Sequence, residues 1–131
     1  MFPDVVRNRL GSVWIRFLSN LEPFASELYR LLTIEEVAGH QLVYGELLVG
    51  DRGGRSKLLA AYDLMPQAPL VPHTEVVGFV RDRHLHGRGL GWIDMHLLAS
   101  AIIDRLQLWT ADRRLEILAQ EFGVSYQLHR R

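Results

Sequence analysis

Apolar residues recur at helical spacing along most of the chain. In PFASELYRLL, Phe24, Leu28 and Leu31 stand at positions i, i+4 and i+7, which places them on one face of an α-helix. The same spacing predicts further helices around residues 42–47, 58–62, 76–80, 93–102 and 115–122. Gly123 fits the stop of the last helix. The pattern therefore predicts a helix-rich chain.

Short apolar runs between these helices predict strands. LQLWT at residues 106–110 and VSYQL at 124–128 are the clearest, PLVPH at 69–73 predicts a brief strand, and EEVAG at 35–39 predicts a strand or a bend. Short strands that alternate with helices are typical of an α/β fold with a mainly parallel sheet covered on both faces. Sites in such folds gather at the carboxyl ends of the strands. We expect residues 1–131 to form a single domain of this class.

Three carboxylates interrupt the apolar pattern. Glu46 lies in QLVYGELLVG, Asp94 in GLGWIDMHLLASA and Asp112 in LWTADRRL. Burying a carboxylate costs roughly several kcal/mol unless the group is paired or binds a cation. Three acids that converge on one site therefore predict a hard divalent ion. Taken singly, each has a structural alternative: a solvated or helix-paired acid for Glu46, a helix N-terminal acid for Asp94, and an N-cap for Asp112.

Composition narrows the function. Lys+Arg and Asp+Glu both total 15, so no global basic field favours nucleic acid, and the absence of cysteine excludes disulfides and thiolate chemistry. Charged residues near the start break any signal-peptide core and no apolar run is long enough to span a membrane, so we expect a soluble cytoplasmic protein. The tryptophans, Trp14, Trp92 and Trp109, are expected in the core, with stacking on a base as the alternative for Trp92.

Two basic segments are candidates for contacts with phosphate groups. RDRHLHGRG carries Arg83 and Arg88 close to Asp94 in the sequence, and the glycine-rich segment GDRGGRS carries Arg52 and Arg55. A solvated helix end and a mobile loop are the structural alternatives for the two segments.

Four motifs, in order, resemble one known family: SVWIRFL, LVYGELLVG, GRGLGWIDMHLLASA and LWTADRRL. Together they resemble PIN domains, particularly the short VapC-type toxins. The resemblance implies a three-layer α/β/α domain in which Glu46, Asp94 and Asp112 bind Mg²⁺ or Mn²⁺ and RNA phosphodiesters are hydrolysed. It assigns supporting roles to Ser12 and Thr110, and it implies a cognate VapB-type antitoxin and a homodimer.

One position departs from the family pattern. The first strand of the family normally ends in an Asp two residues before Ser12, and this chain has Leu10 there. Mg²⁺ can be held by one or two carboxylates plus substrate phosphates, so we expect weakened nuclease activity rather than none. The alternatives are a degenerate PIN domain that only binds antitoxin or RNA, and an unrelated acidic-pocket α/β domain such as a phosphoacceptor.

Overall fold

A computed structural model describes residues 5–7, 13–18 and 21–127. Within these ranges the chain forms two short strands and seven helices. In chain order they are β1 (Val5–Arg7), α1 (Val13–Leu18), α2 (Phe24–Thr33), α3 (Gln41–Val49), α4 (Ser56–Leu64), α5 (His73–Asp82), α6 (Trp92–Ile103), β2 (Gln107–Trp109) and α7 (Arg113–Glu121). None of the helices in the described ranges is long and apolar enough to cross a membrane.

The strands pair in parallel. β1 aligns with β2 so that Val6 stands opposite Leu108. On the other side of β2, Leu108 forms a parallel bridge with Ser125, supported by the hydrogen bond from the Tyr126 N–H to the Leu108 carbonyl at 3.0 Å. The molecule therefore has an α/β fold, as predicted. An extended central sheet between two helical layers is not confirmed, because only β1 and β2 form a ladder among the described residues.

Helix α6 lies at the centre of the apolar core. Its residues from Asp94 to Ala101 are all buried, as expected of a helix that is apolar around most of its circumference. The amphipathic helices bury one face only: α2 buries Leu28 and Leu31, and α7 buries Leu115 and Leu118. A polar residue inside α6 is therefore surrounded by other elements rather than by solvent.

Gly39 permits a close approach between the chain before α3 and the end of α4. Its N–H donates to the Pro66 carbonyl at 2.7 Å, and its carbonyl accepts from the Ala68 N–H at 2.8 Å. A Cβ atom at this position would lie 2.8 Å from the Tyr62 ring, which is buried. Any side chain here would force the two segments apart. The next residue, His40, contacts Ser100 of α6.

Three local expectations are corrected. PLVPH is not a strand, because Pro69 and Pro72 carry no N–H to donate to a ladder, and the preceding bridge joins Gly39 to Gln67 instead. VSYQL meets β2 at one residue only, within the part of it that is described. Trp92 is 41% exposed and packs between the His73 and His96 rings, since it stands at the first, outward-facing position of α6.

Candidate active site

Asp94 occupies the start of α6. It is 5% exposed, and its Oδ2 accepts the Gly91 N–H at 2.9 Å, so the carboxylate reaches back to the residue that precedes the helix. A negative charge in the first turn is also favoured by the helix dipole. The structural alternative raised from the sequence, a helix N-terminal acid, is therefore a property of Asp94.

Asp112 is the N-cap of α7, directly after the carboxyl end of β2. Its Oδ1 accepts the N–H groups of Arg114 at 2.9 Å and Leu115 at 3.1 Å. The Asp112 N–H in turn donates to Oγ1 of Thr110 at 2.9 Å, and the Thr110 side chain is buried. Thr110 therefore orients the backbone on which Asp112 stands, which is a concrete basis for its predicted supporting role.

The two helix starts that carry Asp94 and Asp112 are connected. The Arg114 guanidinium in the first turn of α7 donates to the Gly89 carbonyl at 3.4 Å, in the loop that leads into α6. Gly89 has a φ of +78°, and a Cβ there would come within 2.7 Å of Arg114 Nη1. The positive φ favours glycine here, and the Arg114 contact links the two segments that carry the acids.

Glu46 stands on α3, where it is half-buried. This helix contacts α6 through His40, whose Nε2 lies 3.0 Å from the Ser100 hydroxyl. Glu46 follows His40 by six residues and Asp94 precedes Ser100 by six, so each acid lies about 9 Å along its helix from that contact.

The three acids are not gathered into a ligand group. Within the described ranges, no three His, Asp or Glu side chains are arranged so that they could hold a metal ion. The donor chemistry fits, because carboxylate oxygens suit Mg²⁺ and Mn²⁺, and Mg²⁺ is commonly held by one or two carboxylates together with waters and substrate. The three-carboxylate site therefore stays a prediction. Ser12 and Leu10 lie outside the described residues.

Three of the four candidate RNA-binding arginines have intramolecular contacts. Arg55 donates to the Leu47 carbonyl at the end of α3 at 2.9 Å, Arg83 lies 5.7 Å from the centroid of the Phe122 ring, and Arg88 pairs with Glu121. Arg52 is exposed in the glycine-rich loop. Of these four arginines, Arg52 alone extends into solvent without a side-chain contact in the described part of the chain.

Sequence reasoning missed a buried histidine. His40 is fully buried at the N-cap of α3, and desolvation, followed by the charge of His96, lowers the pKa of His40 to about 4. The pKa of His96 is also lowered, by burial and then by His73. The available signal was a histidine at the boundary between VAG and an apolar helix, where its ring nitrogen can cap the helix.

Comparison with known proteins identifies the family. Residues 11–121 match the model of the PIN domain. The chain is 39% identical over 115 residues to Ribonuclease VapC32 of Mycobacterium tuberculosis, in strain CDC 1551 / Oshkosh and equally in strain ATCC 25618 / H37Rv. The match covers 87% of this chain and 90% of each relative. These findings confirm the resemblance drawn from the four motifs: the chain belongs to the PIN-domain family, on its VapC-type branch.

Proposed function

We propose that this protein is an Mg²⁺- or Mn²⁺-dependent endoribonuclease that hydrolyses RNA phosphodiester bonds, and that it is the toxin of a type II toxin–antitoxin system. The observation that carries the proposal is the 39% identity, over most of both chains, to a relative named as a ribonuclease. The order of the acid-bearing motifs supports it, because the same residues that break the apolar pattern fall where the family carries its acids.

Asp94, Asp112 and Glu46 are the proposed metal ligands and catalytic residues. Asp94 and Asp112 stand at helix starts joined through Gly89 and Arg114, and their capping hydrogen bonds hold the carboxylates in fixed rotamers. A bound Mg²⁺ or Mn²⁺ would supply an activated water molecule and would neutralise charge on the phosphorus. Thr110 positions Asp112 through its backbone N–H.

Finer features of the fold and the assembly belong to the same proposal. The family match over residues 11–121 and the parallel sense of the described strand pairings support a three-layer α/β/α domain with a mainly parallel sheet. We also infer a cognate VapB-type antitoxin and a homodimer, both implied by the VapC-type resemblance. Sedimentation of the purified chain, alone and with its antitoxin, measures both associations.

Cleavage of a mixed RNA substrate in Mg²⁺ or Mn²⁺, with EDTA as the blank, tests the activity. Asp94→Asn is the decisive variant, because the amide oxygen can still accept the Gly91 N–H while the charge is lost. We expect the rate to fall at least about a hundredfold, which is the effect of losing a ligand to a catalytic ion. Asp63→Asn, the same change at an exposed residue of α4, is the matched control.

Leu10→Asp run beside these variants decides the alternative that Leu10 raises. If the natural chain cleaves RNA and Asp94→Asn does not, three acids suffice. Cleavage by Leu10→Asp alone would make the natural chain a binding module. Equal cleavage by the natural chain and Asp94→Asn would contradict the assigned site.

A further inference from the structure

A polar cavity of about 350 Å³ opens where β2 ends and α7 begins. Thr110 lines it on one side of Asp112 in the sequence, and Arg113 and Glu116 line it on the other. Gln127 also lines the cavity, two residues beyond Ser125, which bridges in parallel to Leu108, so the cavity lies at the carboxyl end of these segments. Its volume is at the lower limit of small-molecule pockets and suits a single planar ring system.

Aromatic side chains form the rigid wall of the cavity. The Phe24 and Trp109 rings are stacked with centroids 5.7 Å apart and planes 20° apart, and Tyr126 packs on Trp109 at 5.3 Å. The Tyr126 hydroxyl donates to Glu27, which also accepts from the Arg30 guanidinium. These contacts fix the rings before any ligand arrives. Trp109 and Tyr126 are buried, so these rings form a fixed apolar floor of the cavity rather than an exposed face on which a base could stack.

Arg113 and Glu116 supply opposite hydrogen-bonding capacity at the same opening. They are three residues apart on α7, which places both side chains on one face of the helix. They do not pair with each other: Glu116 accepts only a long 3.4 Å contact from Gln120, and Arg113 makes no side-chain hydrogen bond within the described ranges. The cavity therefore combines a guanidinium that has no side-chain hydrogen bond within the described ranges with a carboxylate that accepts only one long one.

Guanine matches this pair of groups. Its N1–H and N2–H are adjacent donors that one carboxylate can accept, and its O6 and N7 are adjacent acceptors that one guanidinium can contact. Adenine, cytosine and uracil each lack at least one of these two edges. We propose that the cavity is a guanine-binding subsite beside the cleavage centre, with Glu116 accepting from N1–H and N2–H and Arg113 donating to O6 and N7. The proposal rests on the proposed ribonuclease function and adds the base that it selects.

Binding of four short RNAs, UUNUU with each base at N, tests the subsite in EDTA, where cleavage plays no part. The readout is the Trp109 indole resonance, assigned with Trp109→Phe. We expect the RNA with guanine to bind at least about fivefold more tightly than the other three, the effect of one good bidentate contact. Inosine at N, which lacks the 2-amino group, is expected to lose most of that advantage.

Glu116→Gln is expected to remove the preference for guanine while the other three RNAs change less than about twofold. Glu75→Gln, the same change at an exposed residue in the first turn of α5, is the matched control and keeps the preference. No binding, equal binding of the four RNAs, preference for another base, or a preference that survives Glu116→Gln would each overturn the proposal. Metal-dependent cleavage is scored separately: guanine preference without cleavage refutes the nuclease alone, and cleavage without preference refutes the subsite alone.

Discussion

His40 is held in one neutral form by its neighbours. The single proton of the Ser100 hydroxyl is donated to the Pro69 carbonyl at 2.5 Å, so the His40 Nε2 must donate to Ser100 Oγ. Its Nδ1 accepts the Leu42 N–H at 3.1 Å and caps α3. Protonation of Nδ1 would break the cap and place a charge in the core, which is why burial holds the pKa of His40 near 4.

This depressed pKa predicts a loss of stability in mild acid. Because the folded pKa is about 4 and the unfolded value about 6.5, the unfolded chain binds more protons between these limits. The contribution of neutral His40 to the free energy of unfolding is complete above pH 6.5. As the pH falls toward 4 this contribution is lost, which lowers the free energy of unfolding by about 3 kcal/mol in all. Urea unfolding at pH 7 and at pH 4.5 measures it, and His40→Gln, which keeps a donor without titrating, should flatten the difference. An unchanged pH dependence in that variant would contradict the assignment.

Individual residues were predictable where one pattern determined them. Asp94 and Asp112 stood out as acids in apolar segments, and both lie at helix N-termini, Asp94 in the first turn of α6 and Asp112 at the N-cap of α7, where carboxylates are favoured. The prediction that Trp92 lies in the core was wrong, because an apolar ring at the first position of a helix can face outward. No local sequence rule determines which way such a ring faces. The position of His40 before an apolar helix signalled a cap, but its burial could not be predicted, because its partners Tyr62 and Ser100 lie 22 and 60 residues away.

At the scale of one element, the observed capping role of Asp112 can be separated from its proposed role as a metal ligand. As the N-cap of α7 it accepts two backbone N–H groups, so Asp112→Ala should lower the free energy of unfolding by about 1 kcal/mol. Asparagine is an equally good cap, so Asp112→Asn should lower the free energy of unfolding by only about a few tenths of a kcal/mol. The same variant removes the charge of the proposed metal ligand. Denaturant unfolding and RNA cleavage measured on both variants separate the roles. Full cleavage by Asp112→Asn would confine Asp112 to capping.

The pair between Arg88 and Glu121 joins the loop before α6 to the end of α7. If Arg88 contacts RNA, phosphate must replace the Glu121 carboxylate, which accepts at 3.1 and 2.6 Å. Glu121→Gln should then strengthen RNA binding, and Arg88→Ala should lower the slope of log affinity against log salt by about 0.7. Titrations in EDTA at several salt concentrations measure both, with Lys57→Ala on exposed α4 as the control. Weaker RNA binding by Glu121→Gln would contradict the prediction that Arg88 contacts RNA.

Helices were predicted well and strands poorly, for a physical reason. The spacing in PFASELYRLL and in the segment around Leu115 and Leu118 is a local signal, and α2 and α7 bury the expected faces. A strand forms only where a partner offers a ladder, so VSYQL, with the same apolar character as LQLWT, pairs with β2 at one residue in its described part, residues 124–127. The cavity beside Asp112 could not be predicted either, because Phe24, Trp109 and Tyr126 meet only in the fold.

For the whole molecule, the proposed metal site has one acid fewer than the family resemblance implies. Family membership is shown over residues 11–121, and Leu10 stands where the family resemblance places a further acid. With fewer carboxylates the proposed site would carry less negative charge, and substrate phosphates would have to complete the coordination of the ion. Metal affinity should therefore be low without RNA and rise when RNA is present.

Thermal unfolding in the presence of metal tests this independently of cleavage. An ion that binds only the folded chain stabilises it by about 1.4 kcal/mol at ten times its Kd, which raises the Tm by a few degrees. We expect Mn²⁺ to raise the Tm of the natural chain only at high concentration, to act at lower concentration on Leu10→Asp, and to have no effect on Asp94→Asn. Asp63→Asn, exposed on α4, should follow the natural chain. An equal shift in the natural chain and Asp94→Asn would place the ion elsewhere, whereas a larger shift in Leu10→Asp alone would show that the missing acid is what limits binding.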